Sequence, residues 1–112
     1  VHEVLQADKL LQEEGIAAEI IDLRTISPID RPTIIESVQK TGRFVVVHEA
    51  VRSFGPGAEL ITLVNEGAFL SLEAPPTRIA GFDITIPIPG GEHHYFLDGR
   101  RIAAGIKKVV NY

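Results

Sequence analysis

Cysteine is absent from the 112 residues, so there is no disulfide framework, no thiolate nucleophile and no cysteine-type zinc site. Its absence fits a reducing compartment. No apolar run approaches the roughly 20 residues that span a bilayer, and the first residues lack the charged-then-apolar pattern of a signal peptide. The expectation is a soluble intracellular chain. Positive charge is in short supply as well: 11 Lys and Arg against 15 Asp and Glu leave a net charge of −4, which gives no general attraction to nucleic acid or to an anionic membrane. No internal repeat, low-complexity tract or linker breaks the chain. What is abundant is apolar residue, 45% of the total, enough for one domain with a core and too little chain for two.

The stretch from Asp22 to Ala50 organises the rest. Ile20 to Leu23 is short and β-branched and reads as part of a strand over Ile16 to Leu23. Ser27-Pro28-Ile29-Asp30 and Pro32 supply turn chemistry, with Asp30 as a helix N-cap. Ile34, Ile35 and Val38 fall at helical spacing, Thr41-Gly42 ends that helix, and the apolar run Phe44 to Val47 begins a second strand. A strand, a helix and a strand in this order predict a parallel sheet.

On either side of this unit the pattern continues. Val1, Val4, Leu5, Ala7 and Leu11 share one side of a helix that Gly15 stops. That helix opens on an apolar residue with no cap, which predicts that the chain starts late, as a fragment of a longer polypeptide. Beyond the second strand, Leu60, Ile61, Val64 and Ala68 form the core stripe of a helix that begins near Gly57, and Pro75-Pro76 stops it. Thr77 to Ala80 reads as a third strand and Gly81 to Tyr95 as a long loop. Asp98 caps a last helix carrying Ile102, Ile106, Val109 and Val110, with Lys107 and Lys108 near its negative end.

Four groups of residues are candidates for function. His48-Glu49 falls where ligands gather in open α/β sheets and could shuttle protons, although no nucleophile stands beside it and packing at a domain or subunit boundary is the plainer reading. Gly55-Pro56-Gly57 could cradle an anion, but the spacing is neither a Walker loop nor a dinucleotide fingerprint, and a structural turn suffices. Glu92-His93-His94 suggests a metal, yet adjacent side chains point apart in an extended chain, so a solvated loop is expected. Glu73, an acid at a helix end where the dipole does not favour it, asks for another reason, with a solvated surface charge as the plain alternative.

Read as an ordered set, these segments resemble the C-terminal domain of the beta subunit of thiamine-diphosphate-dependent 2-oxoacid dehydrogenases. The matching residues are Asp22 to Ile26, Pro28, Asp30, Thr33-Ile34, Ser37-Val38, Lys40 to Arg43 and Val45 to Ala50. To these add the turn Gly55 to Glu59, Glu73 to Pro75, Arg78 to Gly81 and a basic last helix ending in Tyr112. The resemblance covers essentially the whole chain and departs from the family at Gly90 to His94. It implies a transketolase C-terminal-like α/β domain, three layers with a mostly parallel sheet, preceded by a pyrimidine-binding domain and a first strand that this chain lacks.

By the same resemblance the domain is not itself catalytic, and it binds neither cofactor nor metal. The parent enzyme uses thiamine diphosphate and magnesium, decarboxylates a 2-oxoacid and reductively acylates a lipoyl group. Glu73 and the Tyr112 carboxylate would dock the subunit-binding domain of the dihydrolipoyl acyltransferase. His48, Glu49, Phe54 and Phe82 would lie at interfaces with the alpha subunit, a second beta subunit or the neighbouring domain of a heterotetramer. The implied location is cytoplasmic, or the mitochondrial matrix in a eukaryote. The alternatives are another thiamine-diphosphate enzyme, of transketolase or deoxyxylulose phosphate synthase type, for whose phosphate substrates Arg52 is the one basic residue near the strand ends, and a stand-alone interaction module.

Overall fold

The computed structural model describes residues 2–24, 28–51, 55–81 and 98–112, with the side chains of 49–51 and 81 left aside. In chain order the elements are α1 (His2–Gln12), α2 (Arg31–Thr41), β1 (Val45–Val51), α3 (Pro56–Ala68), a 3-10 turn (Phe69–Ser71), β2 (Thr77–Gly81) and α4 (Gly99–Val110). β1 and β2 pair in parallel, with Val45 opposite Thr77, Val46 opposite Arg78 and Val47 opposite Ile79. α3 makes the crossover that a parallel pair requires.

Side-chain alternation along β1 creates the layers. Val46 joins Ile34, Val38, Leu60, Leu63, Val64 and Ala68 beneath α2 and α3. Val45 and Val47 point the other way, into a second core of Ala7, Leu11, Ile79, Ile102 and Ala103 beneath α1 and α4. A strand that is apolar on both faces is the signature of a sheet covered on both sides, and the domain is an α/β sandwich of three layers.

Local chemistry sets the helix ends. Asp30 accepts from the Thr33 amide (3.4 Å) and the Thr33 hydroxyl (2.8 Å), and Pro32 sits in the first turn. α1 closes in a Schellman motif: Gly15, at φ 76°, donates to the Gln12 carbonyl and Ile16 donates to the Leu11 carbonyl, each at 3.0 Å. Gly42, also at φ 76°, donates to the Val38 carbonyl at 2.8 Å. α1 and α4 run parallel, because Glu3 accepts from the Gly99 amide at one end (3.0 Å) and Glu14 pairs with Lys107 at the other.

Two expectations are corrected, and β1 adds a finding of its own. Ile16 to Leu23 is not a strand: an apolar β-branched run becomes one only when a neighbour completes its ladder, and among the described residues none does. Leu5 faces outward, 48% exposed, while Val4, Ala7 and Leu11 carry the packing of α1. β1 is also less regular than its sequence: from Val47 to Val51 it advances four residues while β2, from Ile79 to Gly81, advances two. Such a bulge re-aims the end of the strand. Among the described residues no helix is long and apolar enough to cross a membrane.

Candidate functional site

The amino end of the sheet carries the most developed polar construction. α2 runs into β1 through Gly42, Arg43 and Phe44, and the 3-10 turn runs into β2 through Leu72 to Pro76, so these two connections lie side by side. Their backbones join: the Glu73 amide donates to the Gly42 carbonyl (2.7 Å) and the Thr77 amide to the Phe44 carbonyl (3.1 Å). Across this seam Arg43 Nη1 donates to Glu73 Oε2 at 2.8 Å. A Cβ on Gly42 would lie 2.9 Å from Glu73 Oε2 and 3.0 Å from its Cδ and Cγ, so the glutamate side chain rests across the bare face of that glycine. The carboxylate is held but not covered, since its side chain remains 60% exposed.

Two more ion pairs continue along the same end. Lys40 in the last turn of α2 donates to Glu19 Oε2 at 2.7 Å. This hydrogen bond, helped by a second from Ser37 and by the ammonium charge, holds the Glu19 carboxyl below its ordinary value, and the same bond raises Lys40. Lys107 pairs with Glu14 at 2.5 Å, tying the last turn of α4 to the end of α1. All three pairs are solvent-accessible, and such pairs contribute little to stability. Their consequence is geometric, because they fix where the charges stand.

Tyr112 follows α4, whose first turn reaches β2 at its far end through Arg101 donating to the Ala80 carbonyl (3.3 Å). The last turn of α4 therefore returns to the amino end. Tyr112 is there, 80% exposed, at the same end of the sheet as Glu73 and on the layer of α1 and α4. Between Glu73 and the body of α3 the turn exposes two large apolar side chains, Phe69 (64%) and Leu70 (97%).

His48 lies in the opposite half of β1. Its ring fills the space in front of Gly57 in the first turn of α3, where an added Cβ would stand 2.5 Å from Nε2 and 3.3 Å from Arg78 Cδ. Gly57 thus serves close packing of helix on strand. A shallow concavity of about 370 Å³ opens nearby, lined by Ala58, Ile61, Pro76, Thr77 and Arg78. The Glu49 side chain, Phe54, Phe82, Arg52 and Glu92 to His94 lie outside the described residues. Among the described residues no three His, Asp or Glu side chains gather as a metal site would require.

Sequence reasoning singled out Glu73 and Tyr112 but missed the residues that hold Glu73. Arg43 read as the end of a motif and Gly42 as a helix cap, and nothing local joins either to Glu73, 30 positions beyond Arg43. Phe69 and Leu70 were absorbed into the end of a helix. The unfavourable place of Glu73 at a helix end was the one signal, and Arg43 answers it.

Two layers of helices on a parallel sheet, with a polar seam at its amino end, define the class, and the chain belongs to the transketolase C-terminal domain family, whose sequence pattern matches residues 1–102. Within that family it is 62% identical over 110 residues to the pyruvate dehydrogenase E1 component subunit beta of Acholeplasma laidlawii, covering 98% of this chain and 34% of that one. It is 42% identical over 112 residues to the subunit of the same name from Bacillus subtilis (strain 168), covering all of this chain and 34% of the relative. The 2-oxoisovalerate dehydrogenase subunit beta of Pseudomonas aeruginosa is 47% identical over 107 residues, 96% of this chain and 30% of the relative. The chain thus spans about a third of the length of the relatives it matches. Among solved structures, a split-gene transketolase described as an inactive beta4 tetramer superposes with a TM-score of 0.81 at 27% identity, over 98% of this chain and 35% of the other.

Proposed function

We propose that this chain is the C-terminal domain of the beta subunit of a thiamine-diphosphate-dependent 2-oxoacid dehydrogenase, where it supports subunit assembly and docks the dihydrolipoyl acyltransferase. The parent enzyme, with an alpha subunit and a second beta subunit, decarboxylates a 2-oxoacid and reductively acylates lipoyl groups. The observation that carries the docking role is the Glu73 carboxylate, held at 2.8 Å by Arg43 yet open to solvent, at the end of the sheet that also receives Tyr112. The likeness to subunits named for pyruvate and 2-oxoisovalerate dehydrogenases supports the enzyme class. A transketolase-type activity is the alternative that the fold allows. Identity of 27% to the split-gene transketolase, against 42–62% to the dehydrogenase subunits, favours the dehydrogenase reading.

The described residues are a poor fit for thiamine diphosphate and magnesium. A diphosphate would want the bare first turn of α3, and His48 already fills the space in front of Gly57. On this proposal the cofactor sits in other domains of the parent. The same reading gives the sheet a further strand, contributed by the parent polypeptide between Ile20–Leu23 and β1. Support comes from Leu23, which packs against the core under α2 and α3, while Ile20 nearby stays outward without a ladder.

Calorimetry of the assembled parent enzyme against an isolated acyltransferase subunit-binding domain, at two salt concentrations, tests the docking role. Salt-sensitive binding that Glu73→Ala weakens by about tenfold is the expected result, the scale of losing one charge-assisted contact. No binding by a correctly folded enzyme would sink it.

A further inference from the structure

Resting on that docking reading, we infer that Arg43 and Gly42 are positioning residues which present the Glu73 carboxylate to a cationic partner. Glu73 is fixed at three points. Its amide donates to the Gly42 carbonyl at 2.7 Å, its methylene and carboxyl carbon lie across the bare Gly42 face, and its Oε2 accepts a hydrogen bond from Arg43 Nη1 at 2.8 Å. Among the described residues no hydrogen bond reaches Oε1, so that oxygen is available to a second cation. Arg43 is itself half-buried: its side chain is only 38% exposed, and its backbone carbonyl accepts from the Thr41 hydroxyl at 3.2 Å.

Two effects of Arg43 on docking oppose each other. Its charge repels an incoming cation; at about 7 Å and physiological salt, that amounts to a factor of about 1.5 through bulk water and about 5 at the effective dielectric of about 20 found near a protein surface. Its grip removes the rotamer freedom that an unrestrained glutamate would lose on binding, a factor of about 2 to 10. Positioning outweighs repulsion where water screens the carboxylate, as the 60% exposure of the Glu73 side chain provides. The pair adds little to fold stability, so variants at position 43 remain folded, with Tm shifted by no more than a few degrees.

The test uses the assembled parent enzyme and the isolated acyltransferase subunit-binding domain, titrated by calorimetry at low and physiological salt. Arg43→Gln is expected to weaken binding about three- to tenfold while leaving the salt dependence near that of the unaltered enzyme, because the Glu73 contact persists. Arg43→Lys should recover part of the loss. Glu73→Gln should weaken binding and flatten the salt dependence, and adding Arg43→Gln to it should change nothing more. A merely structural role for Arg43 would weaken binding equally in both backgrounds and would overturn the inference. So would Arg43→Gln binding as tightly as the unaltered enzyme, or tighter, which would make Arg43 a bystander or a competitor. Absence of binding by the folded unaltered enzyme is a different result and removes the docking reading itself.

Discussion

Gly15 and Gly42 have the same backbone conformation, φ 76°, and the same task of ending a helix, yet their surroundings differ. A Cβ at Gly15 would meet nothing within 4 Å, so Gly15→Ala carries only the penalty of a left-handed alanine, about 1 kcal/mol. At Gly42 the same penalty applies, and the new methyl also drives Glu73 off its seat and breaks the pair with Arg43, for a total of about 1.5–2.5 kcal/mol. Urea unfolding of both variants should show this gap. Truncating the glutamate should close it: in a Glu73→Ala background the two glycine substitutions are expected to become equal. A gap that survives would mean that Glu73 does not lie across Gly42.

At the scale of elements, α4 is held to the sheet by a contact in which a glycine is the smaller partner. Gly105 faces Ile79 of β2, and a Cβ there would collide with both Cδ1 and Cγ1 of the isoleucine. Alanine is the better helix former by about 1 kcal/mol, so an exposed site would gain from the change. Here overpacking dominates, and Gly105→Ala is expected to lower stability by about 1–2 kcal/mol, with Ile79→Val in the same chain recovering part of it, measured by thermal unfolding. Elements of this kind were legible in the sequence where their causes are local. Asp30, Gly15, Gly42 and Asp98 cap the helices as their chemistry requires, and the apolar spacing locates the four helices and two strands of the described residues. What escaped depends on neighbours distant in the chain. Ile16 to Leu23 has strand composition but no ladder, Leu5 faces solvent because α4 meets α1 elsewhere, and the Arg43–Glu73 pair joins two connections that no periodicity relates. Glu73 was picked out as a lone acid; its geometry required the fold.

For the molecule as a whole, the sheet is the open question that the cores pose. Among the described residues β1 pairs with β2 alone, while its side chains are packed on both faces as those of an interior strand would be. In a parallel strand alternate residues address their amides to opposite neighbours, so half of the β1 amides point away from β2. A strand covered on both faces with one unpaired edge leaves those groups to water, or to whichever extended segment can reach them. If the parent polypeptide supplies a strand there, hydrogen exchange will separate the two contexts. In the 112-residue chain the β1 amides directed at β2 should be protected and the alternate ones should exchange rapidly. In the full subunit both sets should be protected, with the newly protected amides slowed by at least a hundredfold, the scale of a few kcal/mol of local opening free energy. Uniform protection of β1 in the short chain would show that its second edge is already satisfied within these residues, and the proposal of a strand from outside them would fall.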